Sequence, residues 1–332
     1  MSSAPFMDAL ILERHNAPFK RTRLPKPFPG KGEVLVRIKA SGVNPLDIKI
    51  RSGNANHARH APPMILGLDL AGTVESIGAG VTAFNRGDEV YGLTGGVGGL
   101  QGSLAEFAAV DSELLAPKPR NLSMRETAAL PLAFITAWEG LVDRAGVQAR
   151  QKVLVQGAGG VGHIAIQLAR AFGADVFATS GASRQAFIEQ LGATAIDYRQ
   201  SAVEEYVADH TAGQGFDIVY DTAGGPALDA SFNAVRRFGH VVSALGWGTH
   251  LLAPLSFRAA TYSGVFTLLP MLTGQGRGHH GEILREATRL VEAGNIRPHL
   301  DSRRFDLDSV ADAYRVVERQ DAHGKVVIDV AD

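Results

Sequence analysis

The sequence predicts an α/β protein in which a β-rich domain precedes a doubly wound parallel sheet. From residue 33 to about 127, short segments of alternating apolar and polar residues are separated by glycine and proline, a pattern typical of half-buried strands. Beyond that region, apolar strand patterns alternate with amphipathic helix patterns, which indicates βαβ units around a buried parallel sheet. With 332 residues, the chain is long enough for two domains with separate cores.

The composition narrows the class of protein. Hydrophobic residues make up 45% of the chain and charged residues 20%, as in soluble globular proteins. The net charge of −1 offers no electrostatic surface for nucleic acid or an anionic membrane, so we expect neither as a partner. The absence of cysteine excludes disulfides, thiolate nucleophiles and sulfur-ligated zinc. The N-terminus has no basic leader and the longest apolar run, 128–138, is too short to cross a bilayer, so we expect a cytoplasmic protein.

The β-rich region contains several predicted strands and one unusual loop. Strand alternation occurs at 33–43, 70–81, 88–93 and 104–111. The glycine-rich segment 92–103 lies among these strands. No helix pattern follows it and its glycine spacing does not fit a phosphate loop, so we interpret it as a flexible surface loop.

The second region begins with a predicted helix over 123–142, where Ser123 and Glu126 have the spacing of a capping box. The strand patterns that follow are KVLVQ, DVFAT, FDIVYDTA and HVVSALG, and the helix patterns between them are VGHIAIQLARAFG, RQAFIEQLG and LDASFNAVRRFG. From about residue 270, two helix patterns and a final strand remain, so we expect this tail to return to the first domain. The predicted domains are therefore 1–127 with 270–332, and 128–269.

The strongest motif directly follows the strand KVLVQ and opens the next helix. Gly157, Gly159 and Gly162 satisfy G-x-G-x-x-G, with Gly160 and Val161 completing the turn. The first glycine permits the tight turn, the second lets the backbone approach a pyrophosphate, and the third lets the helix pack closely on the strand. Because the motif has a strand before it and a helix after it, the sequence predicts a dinucleotide site.

The end of the second strand of this sheet indicates which dinucleotide binds. An NAD site places an acidic residue there, about 20 residues after the glycines, to hold the ribose hydroxyls. This sequence instead has Thr179, Ser180 and Arg184, and Asp175 lies at the opposite end of the strand. Hydroxyl groups and a guanidinium suit a 2′-phosphate, so we predict NADPH as the cofactor. A purely structural alternative is that Arg184 caps a solvated helix.

Together these residues resemble the medium-chain dehydrogenase/reductase superfamily, specifically its zinc-free quinone oxidoreductase (zeta-crystallin-like) branch. The segments that carry the resemblance are ASGVNPLDIKIRSG (40–53), GLDLAGTVESIGAGVTAFNRGDEVYG (67–92), LPLAFITAWEGL (130–141), the glycine motif, DTAGG (221–225) and GKVVI (324–328). The resemblance implies an N-terminal GroES-like β-barrel domain paired with a Rossmann domain, and a C-terminal tail that rejoins the barrel.

The resemblance also bears on metal binding. In zinc-using relatives a cysteine stands at the position of Asn44 and a histidine at the position of Leu68, and this chain has neither ligand. Leucine cannot bind zinc and an asparagine amide binds it poorly, so we expect no metal. Asp69 is then expected to be a structural acid that holds turn amides or an arginine. His57 and His60 lie in a polar loop and are expected to be surface histidines.

By the same resemblance, three residues are candidates for catalytic roles. Asn44 and Asp47 are implied to line the cleft for the nicotinamide and the substrate, and Thr136 is implied to lie near the nicotinamide. Each residue also has a structural interpretation. Asn44 can shape the turn before Pro45, Asp47 can cap a helix, and Thr136 can bond to its own backbone.

The resemblance adds further contacts to the cofactor. It places Ser180, Arg184 and Tyr198 at the adenosine phosphate, although Tyr198 could instead only pack at the sheet edge. The residues implied along the nicotinamide ribose are Ala244, Leu245 and Gly246.

Without a Lewis acid, hydride delivery is easiest to an acceptor that spreads the resulting charge onto a distant oxygen. We therefore predict an NADPH-dependent reductase of quinones or related conjugated acceptors, with the cofactor carrying the chemistry. A reductase of α,β-unsaturated aldehydes or ketones would use the same hydride step. A non-enzymatic NADPH sensor or interaction protein is a further alternative. The apolar segment 262–272 is interpreted as a sheet-edge strand that pairs in a homodimer.

Overall fold

A computed structural model of the chain describes residues 5–331, which form two compact units. The first unit comprises the chain up to Leu132, Leu268–Gly294, and the chain from Pro298 onward. The second comprises Ala133–Thr267 and Asn295–Arg297. Within the part of the chain that is described, no helix has the length and apolar character needed to span a membrane.

The secondary structure follows the alternation seen in the sequence. In chain order the strands are β1 (Phe6–Leu12), β2 (Lys20–Pro25), β3 (Glu33–Gly42), β4 (Met64–Ile65), β5 (Asp69–Ile77), β6 (Glu89–Leu93), β7 (Phe107–Asp111), β8 (Leu115–Pro117), β9 (Lys152–Gln156), β10 (Asp175–Ser180), β11 (Thr194–Asp197), β12 (Phe216–Asp221), β13 (Val235–Ser243), β14 (Thr261–Gly264), β15 (Phe305–Asp306) and β16 (Val327–Asp329). The helices are α1 (Pro45–Arg51), α2 (Met124–Ala128), α3 (Pro131–Trp138), α4 (Gly162–Ala171), α5 (Gln185–Gln190), α6 (Val203–Thr211), α7 (Pro226–Ala234), α8 (Ala253–Ser256), α9 (Leu269–Thr273), α10 (Arg277–Glu292) and α11 (Val310–Glu318).

The first unit contains a three-stranded sheet, β2-β1-β4, and a seven-stranded sheet. The larger sheet has the order β15-β16-β3-β5-β6-β8, and β7 also pairs with β3. Strand β3 is mostly buried because β5 covers one of its edges while β7 and β16 share the other. The antiparallel β16–β3 pairing therefore brings the C-terminal strand, far away in the sequence, next to the residues that precede α1.

The second unit is built around a six-stranded parallel sheet with the order β11-β10-β9-β12-β13-β14. Numbered from β9 as strand one, this order is 3-2-1-4-5-6, the doubly wound order of the Rossmann fold. The strand order reverses between β9 and β12, and ligands of such sheets bind outside the carboxyl ends of the strands at this point. The sheet interior is apolar, with Leu154, Val219 and Val241 fully buried.

Two helix predictions need correction. The predicted capping box is present, since Ser123 N–H donates to Glu126 Oε2 at 2.8 Å, but the helix ends at Ala128 and α3 begins at Pro131. Proline disrupts a helix interior but suits a first turn, so the run divides there. Similarly, the pattern LDASFNAVRRFG is helical only to Ala234, because Val235 pairs with Phe216 of β12 and tertiary pairing overrides helical periodicity.

The prediction of a flexible surface loop at 92–103 is also wrong. Most of the segment is buried, and its first residues belong to β6. A Cβ on Gly95 would lie 1.7 Å from the Gln101 carbonyl oxygen, and one on Gly102 would lie 2.2 Å from that of Leu66. The glycines are therefore needed for close backbone packing. The segment 262–272 is also only partly a strand, since β14 ends at Gly264 and α9 begins at Leu269.

Candidate functional site

The glycine motif forms a tight turn between β9 and α4. Gly157 has φ of +91°, a conformation that favours glycine. Its N–H donates to the Thr179 carbonyl at 3.2 Å, which ties the turn to the end of β10. A Cβ on Gly162 would lie 2.0 Å from the Gly157 carbonyl oxygen, so only glycine lets the helix approach the turn this closely.

The middle of the same turn is open. Gly159 and Gly160 are exposed, and no atom lies within 4 Å of the position a Cβ would take on either residue. Val161 immediately precedes α4, whose N-terminal amides favour a negative ligand. The turn therefore provides the space and the polarity that the pyrophosphate of a dinucleotide requires.

The carboxyl end of β10 carries the residues predicted to select the cofactor. Ser180 is 6% exposed and its Oγ donates to the Gly181 carbonyl at 3.0 Å. Arg184 Nη1 donates to the Ala158 carbonyl at 3.0 Å, so this guanidinium lies against the glycine turn. Asp175 is the first residue of β10, at the end opposite to Ser180, so no carboxylate of this strand reaches the position of an NAD-binding acid.

A second guanidinium lies at this edge, and the sequence analysis missed it. Arg199 Cζ is 3.6 Å from the position that a Cβ on Gly181 would take, and 5.7 Å from the centre of the Tyr198 ring. Tyr198 is 54% exposed, so it is not a residue packed into the sheet. Arg199 reaches this edge because β11 pairs in parallel with β10, which aligns Ser180 with Asp197 and brings the residues after Asp197 to the same edge.

The ends of β12 and β13 are joined by a buried carboxylate. Asp221 is fully buried; its Oδ1 accepts from the amides of Ala223 and Gly224 at 3.0 and 2.8 Å, and its Oδ2 accepts from Ser243 Oγ at 2.7 Å. These bonds fix the turn that follows β12 and attach it to the end of β13.

The same bonding network positions the predicted ribose segment. The Ala244 amide donates to the Asp221 carbonyl at 3.0 Å, and the Leu245 amide donates to Ser243 Oγ at 3.0 Å. Gly246 is exposed, and a Cβ there would lie 2.2 Å from Tyr262 Oη. The segment thus follows directly from the carboxyl end of β13, where a Rossmann sheet binds its ligand.

Thr136 lies in the second unit, on α3, and is nearly buried. Its Oγ1 is 3.2 Å from Thr267 Oγ1, and Thr267 Oγ1 donates to Glu139 Oε2 at 2.7 Å. The Thr136 carbonyl accepts from Tyr220 Oη at 2.6 Å, which anchors α3 to strand β12. The sequence analysis named Thr136 as a candidate but not its hydrogen-bonded neighbours Thr267 and Glu139.

Asn44 and Asp47 lie together in the first unit, at the start of α1. The backbone N–H of Asn44 donates to Asp47 Oδ2 at 2.8 Å, so the Asp47 side chain caps the start of the helix. Burial, together with the negative charge of Asp69, raises the pKa of Asp47 to about 7. The hydrogen bond from the Asn44 backbone amide and the positive charge of Lys325 act in the opposite direction.

Asp69, the acid in the stretch ILGLDLAG, is fully buried and has three hydrogen-bond donors. Its Oδ1 accepts from the Leu132 amide at 2.9 Å, and its Oδ2 accepts from Asn44 Nδ2 at 2.9 Å and Lys325 Nζ at 3.2 Å. Lys325 Nζ also donates to Asn44 Oδ1. Burial raises the pKa of Asp69, while Lys325, Asn44 and Leu132 oppose that effect. Asp69 therefore holds a backbone amide of the first turn of α3, as expected from the sequence, and the cation paired with it is a lysine and not the arginine named as the alternative.

These residues do not fit a zinc ion. Asn44 Oδ1 and Asp69 Oδ2 already bind an ammonium, and Leu68 presents only a buried aliphatic side chain. Among residues 5–331, no group of three histidine, cysteine, aspartate or glutamate side chains is placed to hold a metal ion.

The expectation of a surface histidine is wrong for His60, which is half-buried with Nδ1 accepting from the Gly99 amide at 3.1 Å.

Comparison with known proteins gives the family. Residues 30–120 match the alcohol dehydrogenase GroES-like domain, and residues 191–328 match the zinc-binding dehydrogenase family. The chain is 37% identical to the 2-methylene-furan-3-one reductase of Solanum lycopersicum, over 89% of this chain and 71% of that protein. It is 34% identical to the chloroplastic NADPH-dependent alkenal/one oxidoreductase of Arabidopsis thaliana, over 89% of this chain and 72% of that protein.

Solved structures agree with this placement. An alcohol dehydrogenase superfamily protein from Novosphingobium aromaticivorans is 58% identical with a TM-score of 0.96, covering 98% of this chain and 100% of that chain. The quinone oxidoreductase from Coxiella burnetii is 27% identical with a TM-score of 0.83, again over 98% and 100%. The chain therefore belongs to the quinone oxidoreductase-like branch of the medium-chain dehydrogenase/reductase superfamily. It is an oxidoreductase that uses a nicotinamide cofactor, with a GroES-like domain and a Rossmann domain, as the sequence predicted.

Proposed function

We propose that this protein is an NADPH-dependent oxidoreductase that transfers hydride to quinones or related conjugated acceptors without a metal. The observation that carries the proposal is the position of Lys325, whose ammonium donates to both Asn44 Oδ1 and Asp69 Oδ2. Asn44 stands where zinc-using relatives have a ligand, and Asp69 is next to the second such position. A divalent cation beside this buried ammonium would be strongly repelled, since both are positive in a region of low dielectric.

The proposed acceptor follows from this lack of an electrophile. When bound, NADPH supplies a hydride, and a quinone or enone spreads the resulting negative charge onto an oxygen several bonds away. Hydrogen-bond donors can stabilise that oxygen, whereas a saturated ketone needs a stronger electrophile such as a metal. By family resemblance, we assign Asn44, Asp47 and Thr136 to the surroundings of the nicotinamide and substrate.

The preference for NADPH rests on the carboxyl end of β10. Ser180 replaces the acid of an NAD site, Arg184 lies against the glycine turn, and Arg199 lies beside Gly181. Two guanidinium groups at this edge suit a 2′-phosphate, which each of them can bind by two parallel hydrogen bonds. We assign Tyr198 to the same subsite, and the Arabidopsis relative is itself described as NADPH-dependent.

A reductase of α,β-unsaturated aldehydes or ketones is the nearest alternative within the same chemistry. The names of the two curated relatives describe a furanone reductase and an alkenal/one oxidoreductase, which favours such an acceptor. The Coxiella structure, named a quinone oxidoreductase, favours the quinone. The ratio of kcat/KM for 9,10-phenanthrenequinone to kcat/KM for a 2-alkenal separates the two.

We also propose that the protein is a cytoplasmic homodimer. Strand β14 is an edge of the parallel sheet and most of its residues are exposed, so it can pair with a second copy. Light scattering at micromolar concentration is expected to give the mass of a dimer, and a monomer at that concentration contradicts this assignment. Cell fractionation checks the location.

The function is tested by following NADPH and NADH oxidation with a quinone, an enone and a saturated ketone. We expect turnover with NADPH and at least one conjugated acceptor, much slower turnover with NADH, and none with the saturated ketone. If no acceptor oxidises NADPH while the cofactor still binds tightly, the protein is a sensor or interaction protein. Turnover of the saturated ketone would contradict the inference from the missing electrophile.

A further inference from the structure

The segment between β13 and α8 carries three large apolar side chains that are exposed to solvent. Trp247, Leu251 and Leu252 are 54%, 73% and 55% exposed. Several such side chains within one short segment are unusual on a protein surface and often mark a place where a ligand or partner binds. Trp247 directly follows Gly246, the last residue of the predicted ribose segment, so this surface begins at the carboxyl edge of the parallel sheet.

The start of this segment is fixed by the end of the sheet. The Leu245 amide donates to Ser243 Oγ at 3.0 Å, and Ser243 is also hydrogen-bonded to the Tyr262 hydroxyl of β14. A Cβ on Gly246 would lie 2.2 Å from that hydroxyl oxygen, so the backbone passes directly beside it. Because Trp247 is the next residue, strands β13 and β14 together set the position of its backbone.

A second aromatic ring lies beside Trp247 at the same edge. Phe266 follows β14, and the amide of the preceding Val265 donates to the Ser243 carbonyl at 2.9 Å. The centres of the Trp247 and Phe266 rings are 6.2 Å apart, and the ring planes are at 85°. In such a T-shaped pair one ring presents its edge to the face of the other, so this contact covers at most one face of the indole. The half-exposed indole therefore offers surface to a flat ligand.

The position of this surface indicates which ligand it meets. Strands β12, β13 and β14 form the half of the sheet beyond the switch point, while the glycine turn and Ser180 belong to the other half. A dinucleotide that lies across the carboxyl edge with its adenosine phosphate at Ser180 has its nicotinamide over the β12–β14 half. Because the acceptor must lie against the nicotinamide to receive the hydride, Trp247 borders the space of the acceptor.

We infer that the indole of Trp247 stacks on the ring system of the acceptor, and that the acceptor is a quinone with fused aromatic rings. An electron-rich indole and an electron-poor quinone attract each other when their planes stack with an offset. A 2-alkenal is aliphatic and offers no ring for this contact. One hydride from NADPH and one proton from solvent convert the quinone to the hydroquinone and leave NADP⁺. The inference rests on the proposed function and selects the quinone from the acceptors that it leaves open.

The test measures kcat/KM for 9,10-phenanthrenequinone and for 2-hexenal with the wild type, Trp247→Ala and Trp247→Phe. We expect the wild type to favour the quinone. Trp247→Ala is expected to lower kcat/KM for the quinone about tenfold and kcat/KM for the alkenal less than about twofold, because only the quinone loses a stacking partner. Trp247→Phe keeps an aromatic face and should retain most of the activity with the quinone.

Phe257→Ala is the matched control. Phe257 is 84% exposed and belongs to the same unit, but it lines a groove with Gly215 and Val235 at the amino ends of β12 and β13. This variant therefore removes an exposed aromatic ring from the opposite edge of the sheet, and kcat/KM should be unchanged for both acceptors. Melting curves confirm that each variant is folded.

A binding measurement separates recognition of the acceptor from turnover. The chain has two tryptophans, so Trp138→Phe leaves Trp247 as its single indole. With NADP⁺ in place of NADPH no hydride is available, and the quinone is not consumed. We expect 9,10-phenanthrenequinone to quench the fluorescence of Trp247 to saturation, and 2-hexenal to change it little. Quenching that rises linearly with the quinone concentration, without saturation, would contradict stacking.

Further results would overturn the inference. An equal loss for both acceptors in Trp247→Ala, or no loss for either, would mean that the indole does not recognise the quinone ring. A wild type that favours 2-hexenal would contradict the acceptor class and leave the proposed reductase function intact. A smaller mass of Trp247→Ala in light scattering would make the indole a subunit contact. If the wild type oxidises NADPH with no acceptor at all, the proposed function itself fails, and this outcome is distinct from the others.

Discussion

At the scale of single residues, the buried cluster of the first unit holds two carboxylates, one amide and one ammonium. Lys325 is the only cation within bonding distance of Asp69 in the described chain, and both side chains are nearly inaccessible to water. Replacing Lys325 with methionine keeps the size of the side chain but leaves a buried charge without its partner. We expect this variant to lose about 3–5 kcal/mol of unfolding free energy in urea titrations.

A matched control is available in Lys118. Its side chain is as buried as that of Lys325, but its carboxylate partner Glu89 is mainly exposed. Lys118→Met should therefore be less destabilising, because Glu89 remains solvated. Combining Lys325→Met with Asp69→Asn should recover part of the loss. Equal losses for the two lysine variants would contradict the account of the cluster.

Asp47 predicts a pH dependence of stability. Its pKa is raised to about 7 by burial, whereas an unfolded aspartate has a pKa of about 3.9. Between these values the folded state holds a proton that the unfolded state releases, so this residue lowers stability as the pH rises from about 4 to about 7. We expect Asp47→Asn to be more stable relative to wild type at pH 8 than at pH 5, by up to a few kcal/mol in urea titrations.

Asp301 provides the control of opposite sign. Its hydrogen bonds to Arg303 lower the pKa of its carboxyl, so its stabilising effect is present above the unfolded pKa and is lost in acid. Asp301→Asn should lose a similar amount of stability at pH 5 and pH 8. If Asp47→Asn shows the same pH dependence as the wild type, Asp47 is ionised in the folded protein at neutral pH.

Arg184 predicts how cofactor selection can be changed. Arg184→Ala removes one guanidinium from the proposed 2′-phosphate subsite, and we expect NADPH binding to weaken by about tenfold to a hundredfold. NADH has no 2′-phosphate, so its dissociation constant should change little and serves as the control. An equal loss for both cofactors would limit Arg184 to holding the glycine turn through Ala158.

At the scale of elements, two glycines of the β9–α4 turn have different roles. Gly159 leaves space for the cofactor, and Gly162 lets the helix pack closely on the turn. No atom lies near the Cβ position of Gly159, so Gly159→Ala should preserve the unfolding free energy while its methyl group obstructs the pyrophosphate, weakening cofactor binding by at least about tenfold. A methyl group on Gly162 would collide with the Gly157 carbonyl, so Gly162→Ala should cost about 1–3 kcal/mol of stability. Equal effects of both variants on stability would contradict this division.

How well the elements could be predicted depended on whether their causes were local. The strand KVLVQ, the capping box at Ser123 and the glycine turn each depend on neighbouring residues, and each is present in the structure. The predicted helix does not continue beyond Ala234, because Val235 pairs with strand β12 and begins β13. The local sequence pattern contains no information about this partner strand. The prediction of a flexible loop at 92–103 was wrong for a similar reason, since Gly96 and Gly102 pack against the backbone of a distant segment, at Gly67 and Leu66.

At the scale of the whole molecule, the same distinction applies to the candidate site. The motif residues of the dinucleotide turn could be found from spacing alone. Lys325 could not, because it is 256 residues away from Asp69 in the sequence and reaches it only through the pairing of β16 with β3. The hydrogen bond between Thr267 and Glu139 could not be predicted for the same reason, since it joins the turn directly after α3 to the segment after β14, which are far apart in the chain.

The central claim is that a buried ammonium, rather than a metal ion, occupies the first unit's polar cluster in an active reductase. The most direct test is the rate of NADPH oxidation with 9,10-phenanthrenequinone before and after exhaustive chelation, with the metal content of the same sample determined. We predict equal rates and less than about one-tenth of a zinc ion per chain. A rate that falls on chelation and returns when zinc is added would contradict the claim.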